Sequence, residues 1–332
     1  MQPVPSDILA VHSGALGDLV LFGQLLRRMG GRVTLVAGGE KGRLLAGMGV
    51  VNRAMDFDAL PMHELFADTP ADQCRLPALL GRHGRLISCF GAGDETAERR
   101  LAMMCAARRV DFPPIRPPEG YDGHLLDLWA QMLGSAAPGS QSPPVAWKVP
   151  RPWREAAADA LSELHIDPAK PYWAIHPGAG AQAKCWPLER FIELARAGIA
   201  SRLDAEPLFV LGPVECDRWG GRVEQLRRQL AALVCPPLST LAGVLAGAAG
   251  YVGNDSGVSH LSAAVGTPTA ALFLSSRVRH FAPVGRHVLT LSASRLADIT
   301  APQVQQTIEQ LPTRQAPCAG TRIDAHDMHH HQ

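Results

Sequence analysis

Asn254-Asp255-Ser256-Gly257-Val258-Ser259-His260, continuing as Leu261-Ser262-Ala263-Ala264-Val265-Gly266-Thr267-Pro268, decides how this chain is read. Just before it stands Ala249-Gly250-Tyr251-Val252-Gly253, a short run of small and apolar residues that reads as an interior strand of a parallel sheet. A small polar turn then leads into a helix. Asp255, Ser256 and Gly257 are expected in its first positions, where unpaired N–H groups and the positive end of the peptide dipoles favour an anion such as phosphate. Gly257 lets a ligand approach the backbone closely. The same residues also suit a plain helix cap, with Asp255 or Ser256 closing the helix end and binding nothing.

Outward from this turn, β-rich runs alternate with helical patterns. Ile8-Leu9-Ala10-Val11 precedes a helix from Asp18 to Met29; Val33-Thr34-Leu35-Val36 follows, and later Leu86-Ile87-Ser88-Cys89 precedes another helix. The second half repeats the pattern with Tyr172–His176, a helix from Leu188 to about Arg202, Pro207–Leu211 and a helix from Glu215. Such alternation predicts the α/β class, with parallel sheets covered by helices on both faces. Gly134-Ser135-Ala136-Ala137-Pro138-Gly139-Ser140-Gln141-Ser142-Pro143-Pro144 has the composition of a linker. Two Rossmann-like domains, 1–145 and 146–315, are therefore expected to face each other across a cleft, followed by a disordered tail over 316–332. In open α/β sheets ligands bind beyond the carboxyl ends of the strands, so functional residues should lie on the loops lining that cleft.

Composition narrows the function. With 332 residues, 46% hydrophobic and 19% charged, the chain can build one large or two ordinary cores. Its formal net charge of +1 provides no overall basic field, which argues against nucleic acid as a partner but leaves room for a local patch facing anionic lipid. No apolar run is long enough to predict a membrane span. Met1-Gln2-Pro3-Val4-Pro5-Ser6-Asp7 has no basic segment ahead of an apolar one, so a cytoplasmic location is expected. Cys74, Cys89, Cys105, Cys185, Cys216, Cys235 and Cys318 are scattered without a Cys-x-x-Cys pair, which fits neither a disulfide framework nor a zinc site; most are expected to be small core residues. His326, His329, His330 and His331 sit in the tail, where metal binding would be adventitious, and no native metal site is expected.

Three loops carry the candidate chemistry. The first, Ser13-Gly14-Ala15-Leu16-Gly17-Asp18, offers only Gly14-x-x-Gly17 where a dinucleotide site needs Gly-x-Gly-x-x-Gly, even with Glu40 as a ribose-binding acid, so a nicotinamide dehydrogenase is disfavoured. Asp18 is either an acid complementing the helix dipole or a general base at the lip of the cleft. In the second, His176-Pro177-Gly178-Ala179-Gly180-Ala181-Gln182-Ala183-Lys184-Cys185-Trp186-Pro187, Gly178 and Gly180 expose backbone N–H groups, Lys184 brings a mobile cation, and Pro187 begins a helix aimed back at the same point. A solvated surface role for Lys184 is the alternative. In the third, Leu211-Gly212-Pro213-Val214-Glu215, Glu215 either binds ribose hydroxyls or simply serves the first helical turn. His260 lies one turn beyond Ser256, facing the same cleft or packed as a structural histidine.

Together these segments resemble glycosyltransferase family 9, the heptosyltransferase-like enzymes of bacterial lipopolysaccharide assembly, which have the GT-B fold. Gly17-Asp18 with Leu19-Val20-Leu21 is similar to the family's N-terminal Gly-Asp motif, and His176-Pro177-Gly178 through Lys184-x-Trp186-Pro187 to its phosphate loop. Asn254-Asp255-Ser256-Gly257 with His260-Leu261 and Ala263-Ala264-x-Gly266-Thr267-Pro268 is similar to its most specific signature. The resemblance implies inverting transfer of a sugar, a heptose or a relative, from a nucleoside-diphosphate donor, ADP-linked, to a hydroxyl of a lipopolysaccharide-type or other glycan acceptor. It implies neither a metal nor a cofactor, and a cytoplasmic enzyme in peripheral contact with the inner membrane.

Carried over residue by residue, Asp18 becomes the base and Lys184 the catalytic cation, while Gly178, Gly180, Glu215, Asp255, Ser256, Gly257 and His260 join Lys184 in binding the donor. Ser13 and Gly17, with Arg99 and Arg100, fall on the acceptor side; these arginines, like Arg108 and Arg109, also suit a solvated helix face. Gln24, Cys185 and Phe281 depart from the pattern, standing where proline, a basic residue and tryptophan are frequent. Two other readings share this architecture: a nucleotide-binding protein that has lost catalysis, and a nucleotide-sugar epimerase or phosphorylase.

Overall fold

A computed structural model describes residues 7–134, 144–200 and 203–312. Most of the predicted linker, the tail over 316–332, its four histidines and Cys318 lie outside the described residues. The front half runs β1 (Asp7–Val11), α1 (Leu16–Met29), β2 (Arg32–Ala37), α2 (Gly39–Gly47), β3 (Arg53–Asp56), α3 (Leu76–Leu80), β4 (Arg85–Ser88), α4 (Glu95–Cys105), β5 (Arg109–Asp111) and α5 (Leu125–Met132). The rear half begins with α6 (Arg151–Glu163), β6 (Tyr172–His176), α7 (Leu188–Glu193), β7 (Glu206–Leu211), α8 (Pro213–Trp219), α9 (Gly221–Arg227) and β8 (Ala231–Val234). It ends with α10 (Leu238–Gly247), β9 (Gly250–Asn254), α11 (Gly257–Ala264), β10 (Thr269–Leu274), α12 (Ser275–Phe281), β11 (Val288–Ala293) and α13 (Ala301–Glu309).

Both sheets are parallel throughout, in the orders β3-β2-β1-β4-β5 and β11-β10-β9-β6-β7-β8. The strand order reverses between β1 and β4 in the front sheet and between β9 and β6 in the rear one. Loops leaving these strands flank the two crevices where open α/β sheets bind ligands. Two of the three loops singled out from the sequence leave β1 and β6, the Asn254–Gly257 turn leaves β9, and the third loop leaves β7, the neighbour of β6.

Side-chain alternation along the strands builds the core. Ile8 and Ala10 of β1 join a cluster with Leu21, Phe22 and Trp129, while Leu9 and Val11 face the opposite side with Leu86 and Leu101. The first cluster does not stop at the front half. It continues through α6, α10 and α11 with Leu161, Leu245 and Leu261, so the two halves share buried apolar surface. No helix among the described residues is long and apolar enough to cross a membrane.

Two helical expectations are corrected. The helix from Leu188 is α-helical only to Glu193 and then π-helical over Leu194–Ala200; apolar spacing reports a helix but not its hydrogen-bond register. The first helix starts at Leu16, two residues before Asp18, because the Asp18 carboxylate reaches back to the Ala15 N–H.

Gly243 marks the tightest point between α6 and α10: a Cβ there would lie 2.2 Å from the Trp153 carbonyl oxygen and 2.8 Å from the Ala157 Cβ. Alanine gains about 1 kcal/mol of helix propensity over glycine, but forcing backbone apart in a packed core costs about 1–3 kcal/mol, so the clash should win. Gly243→Ala is therefore expected to lower the urea midpoint of unfolding, whereas substitution at a merely helical glycine would raise it.

Candidate active site

Two helix N-termini meet at the centre of the cleft. A Cβ on Gly257 would lie 2.7 Å from the Leu16 Cβ and 3.0 Å from the Gly17 nitrogen, and one on Gly17 would lie 3.0 Å from the His260 ring. Only glycine on both sides lets α1 and α11 approach this closely. Ser256 caps α11 by accepting from the Ser259 N–H. Ser259 in turn donates to the Asn254 carbonyl at 2.6 Å and lies 2.9 Å from the Tyr251 hydroxyl, so the turn is braced from below.

On the front side, Asp18 accepts from the Ala15 N–H at 3.3 Å through one oxygen and pairs with Arg116 at 3.3 Å through the other. Its side chain is partly open, at 22% exposure. The turn that presents it is held twice at Gly14: the N–H donates to His12 Nδ1 at 2.9 Å, and Lys41 Nζ donates to the carbonyl at 2.7 Å. His12 lies beside Phe22 and Trp129, and burial pushes its pKa down to about 4. A neutral ring is what the Gly14 bond requires, since an imidazolium Nδ1 cannot accept.

On the rear side, one residue fastens the glycine loop. Asn254 accepts from the Trp186 N–H at 3.0 Å and donates to the Pro177 carbonyl at 2.8 Å, clamping both ends of the loop to the end of β9. Asp255 lies 2.9 Å from Lys184 Nζ and 2.6 Å from Arg277 Nε. Burial works to raise its carboxyl pKa, but hydrogen bonds from Arg277 and Lys184 outweigh that and hold it below the usual carboxylate range. Glu215 accepts from the Gly212 N–H at 2.8 Å and presses so closely on Gly178 that a Cβ there would lie 1.8 Å from its Oε1. His176 donates through Nδ1 to the Val210 carbonyl at 2.8 Å.

A cavity of about 530 Å³ lies between the halves, walled by Leu16 and Glu40 in front and by Gly180, Glu215, Ser256 and Gly257 behind. Four of the predicted donor-side residues thus reach its surface. Lys184 stands just outside, tied to Asp255. Asp255 is not in the first helical turn, as the sequence suggested: it precedes the Ser256 cap, is 6% exposed, and faces two cations. His260 is buried under Gly17 rather than facing the cavity, with Nδ1 unpartnered and its pKa lowered by burial to about 4.

Of the residues expected on the acceptor side, Ser13 and Arg99 are exposed, while Arg100 donates to the Glu64 and Thr69 carbonyls at 2.8 Å and so holds a loop. Glu40, considered as a ribose acid, instead accepts from the Leu238 N–H at 2.6 Å across the halves. Sequence reasoning gave no role to Arg116, Arg277 or His12, whose partners become apparent only in three dimensions. Among the described residues no group of three or more His, Cys, Asp or Glu side chains gathers as metal ligands would.

The buried histidines give this site a pH signature. His12 and His260 titrate near 4 when folded, and near 6.5 when unfolded, so between these values the unfolded chain holds more protons. Stability is thus full above about pH 7 and is lost as pH falls from about 6.5 to about 4, with a slope of about 2–3 kcal/mol per pH unit from these two groups. His124 and His176, also lowered by burial, act in the same direction. Urea midpoints measured from pH 7 to pH 4.5 should follow this fall, and His260→Gln should make it shallower.

No curated protein matches this sequence significantly. Among solved structures, the glycosyl transferase family 9 protein from Veillonella parvula superposes with a TM-score of 0.73 at 17% identity, covering 93% of this chain and 98% of its own. The E. coli heptosyltransferase WaaC with ADP gives 0.65 at 19% identity over 91% and 99%, and E. coli ADP-heptose lps heptosyltransferase II gives 0.66 at 16% over 91% and 97%. These similarities establish the GT-B arrangement of the two sheets. The family model for glycosyltransferase family 9 (heptosyltransferase) matches residues 86–309. With that match spanning β4 to the last helix, the chain belongs to glycosyltransferase family 9 and is a glycosyltransferase.

Proposed function

We propose that this enzyme transfers a heptose or related sugar, with inversion, from an ADP-linked donor to a hydroxyl of a lipopolysaccharide-type or other glycan acceptor. The observation that supports the reading is the close contact of Gly17 with Gly257, which brings the segment carrying Asp18 up to the N-terminus of α11. The choice of ADP is supported by the structurally similar WaaC, known with ADP and with ADP-2-deoxy-2-fluoro heptose.

In this mechanism the acceptor hydroxyl gives its proton to Asp18 as its oxygen bonds to the anomeric carbon. The bond from that carbon to the diphosphate breaks, and the nucleoside diphosphate leaves with the electron pair. Negative charge builds on the departing diphosphate, so donors fixed in advance around it lower the barrier. Lys184, the N–H groups at Ser256 and Gly257, and the backbone at Gly178 and Gly180 fill that role. Glu215, on the cavity wall, takes the ribose hydroxyls, and Asp255 holds Lys184 in place from behind. We assign the acceptor to the front half, beside Ser13, Gly17, Arg99 and Arg116, and the enzyme to the cytoplasm, meeting a lipid-anchored acceptor peripherally at the inner membrane.

Asp18→Asn removes the base but keeps the shape. Turnover of an ADP-heptose donor with a glycan acceptor should fall by about 10²–10⁴-fold while ADP affinity by calorimetry stays within about twofold; undiminished turnover would remove Asp18 from the mechanism. Lys184→Ala should weaken ADP binding and slow transfer together. Arg277 still pairs with Asp255 in that variant, so the fold should survive and unchanged ADP affinity would place Lys184 outside the site.

A further inference from the structure

Most of the cysteines are expected in the core, but Cys216 and Cys235 are neither buried nor apart. Their sulfurs lie 3.5 Å from each other, with Cys235 exposed and Cys216 half-buried. Cys216 is in α8, next to Glu215; Cys235 follows β8 and itself lines the cavity, as do Pro236 and Pro237. The pair therefore bridges two walls of the cavity. Cys235 holds a left-handed backbone with φ of 47°, unusual for a residue with a side chain, and its N–H donates to the Leu211 carbonyl at 2.8 Å. With prolines after it and that bond before it, the turn has little freedom to absorb a movement of its sulfur. The other described cysteines differ: Cys89 and Cys105 are buried, and the thiols of Cys74 and Cys185 lie against backbone carbonyls.

We propose that Cys216 and Cys235 form a redox-sensitive dithiol, which a hydroperoxide oxidises to a disulfide that joins α8 to the β8–α10 turn and constricts the cavity. In the first step the Cys235 thiolate attacks a peroxide oxygen, the O–O bond breaks, and a sulfenic acid forms as hydroxide leaves and takes up the thiol proton as water. Cys216 then attacks the Cys235 sulfur and expels its hydroxyl as a second water. Overall two thiols lose two hydrogens and one hydrogen peroxide becomes two waters. The attacking group is Cys235 because it is exposed on the cavity wall where a peroxide can reach it, whereas Cys216 is half-buried, its thiol pushed up to about 11 first by burial and then by Cys235 beside it. Bond formation draws the sulfurs from 3.5 Å to about 2.05 Å and pulls Cys235 towards α8. In a reducing compartment such a bond is transient, which suits control rather than structure.

That the constricted cavity takes a nucleotide rests on the function proposed above, so the test reads the two separately. The full chain is treated with hydrogen peroxide, remaining thiols are alkylated with iodoacetamide, and peptides are identified by mass spectrometry; ADP affinity is measured before and after. The expected result is a linked Cys216–Cys235 peptide and an ADP Kd raised about tenfold or more, both reversed by dithiothreitol. Cys216→Ser should show the same ADP affinity before and after peroxide. Both thiols still alkylated, or oxidation confined to Cys74 or Cys185, would overturn the dithiol. A linked peptide with unchanged ADP affinity would overturn the constriction. If the reduced protein did not bind ADP at all, the nucleotide reading would fall while the linked peptide still decided the dithiol.

Discussion

Two positive helix ends held against each other are electrostatically awkward, and at Gly17 and Gly257 this protein does just that. Each N-terminus carries about half a unit of positive charge, so bringing two together needs compensation. Part of it comes from beneath, where Leu21, Leu25, Leu261 and Val265 bury apolar surface in the cluster shared by the two halves. Part comes from Asp18, which places a carboxylate in the first turn of α1. The rest can come from a bound anion. The contact thus fixes the fold at one point and leaves that point short of negative charge.

The charged residues around this point are chained. Asp18 pairs with Arg116, whose guanidinium lies 5.3 Å from the Phe281 ring centre; Arg277 lies 4.6 Å from the same centre and pairs with Asp255, which also holds Lys184. Cation–π attraction of about 0.5–2 kcal/mol for each arginine makes this ring a common rest for cations from the two halves. Asp255 is the balancing charge. Buried between Lys184 and Arg277 it leaves a net positive charge beside the α11 terminus and stops the lysine from extending into solvent. Phe281 is one of the departures from the family pattern, and it sits in the middle of this chain.

Local signals carried most of the architecture. Alternation of strand and helix, the glycines of three turns and the Asn254-Asp255-Ser256-Gly257 run mark where backbone must turn sharply or pass close by, and these are properties of short segments. Contacts between distant segments leave no such mark. Arg116 is 98 residues from Asp18, and Cys235 is 19 from Cys216 with no spacing motif between them. Asp255 misleads for a related reason: an acid beside a helix start looks like a cap, and only the position of Lys184 and Arg277 reveals its real partners. The doublet Arg99-Arg100 looked uniform in sequence, but helical geometry turns one arginine to solvent and the other onto loop carbonyls.

How the halves can move follows from what joins them. Around the rim, Glu40 holds the Leu238 N–H at 2.6 Å, His124 donates to the Ala282 carbonyl at 2.9 Å, and His280 donates to the Gly123 carbonyl at 2.8 Å. Gln24 also donates to the Val284 carbonyl and Arg279 pairs with Asp122 at the surface; at about 0.5–1.5 kcal/mol net for each bond, these few polar links lie within reach of the differential binding free energy of a charged ligand. Pulling apart the shared apolar cluster is far costlier, because it exposes many leucine-sized side chains at about 1.5–3 kcal/mol each. A small rocking about the glycine contact therefore costs much less than wide separation. Such a motion changes the spacing of Asp18 and Lys184 while keeping the two helix ends together, which is the displacement that the proposed transfer between them requires.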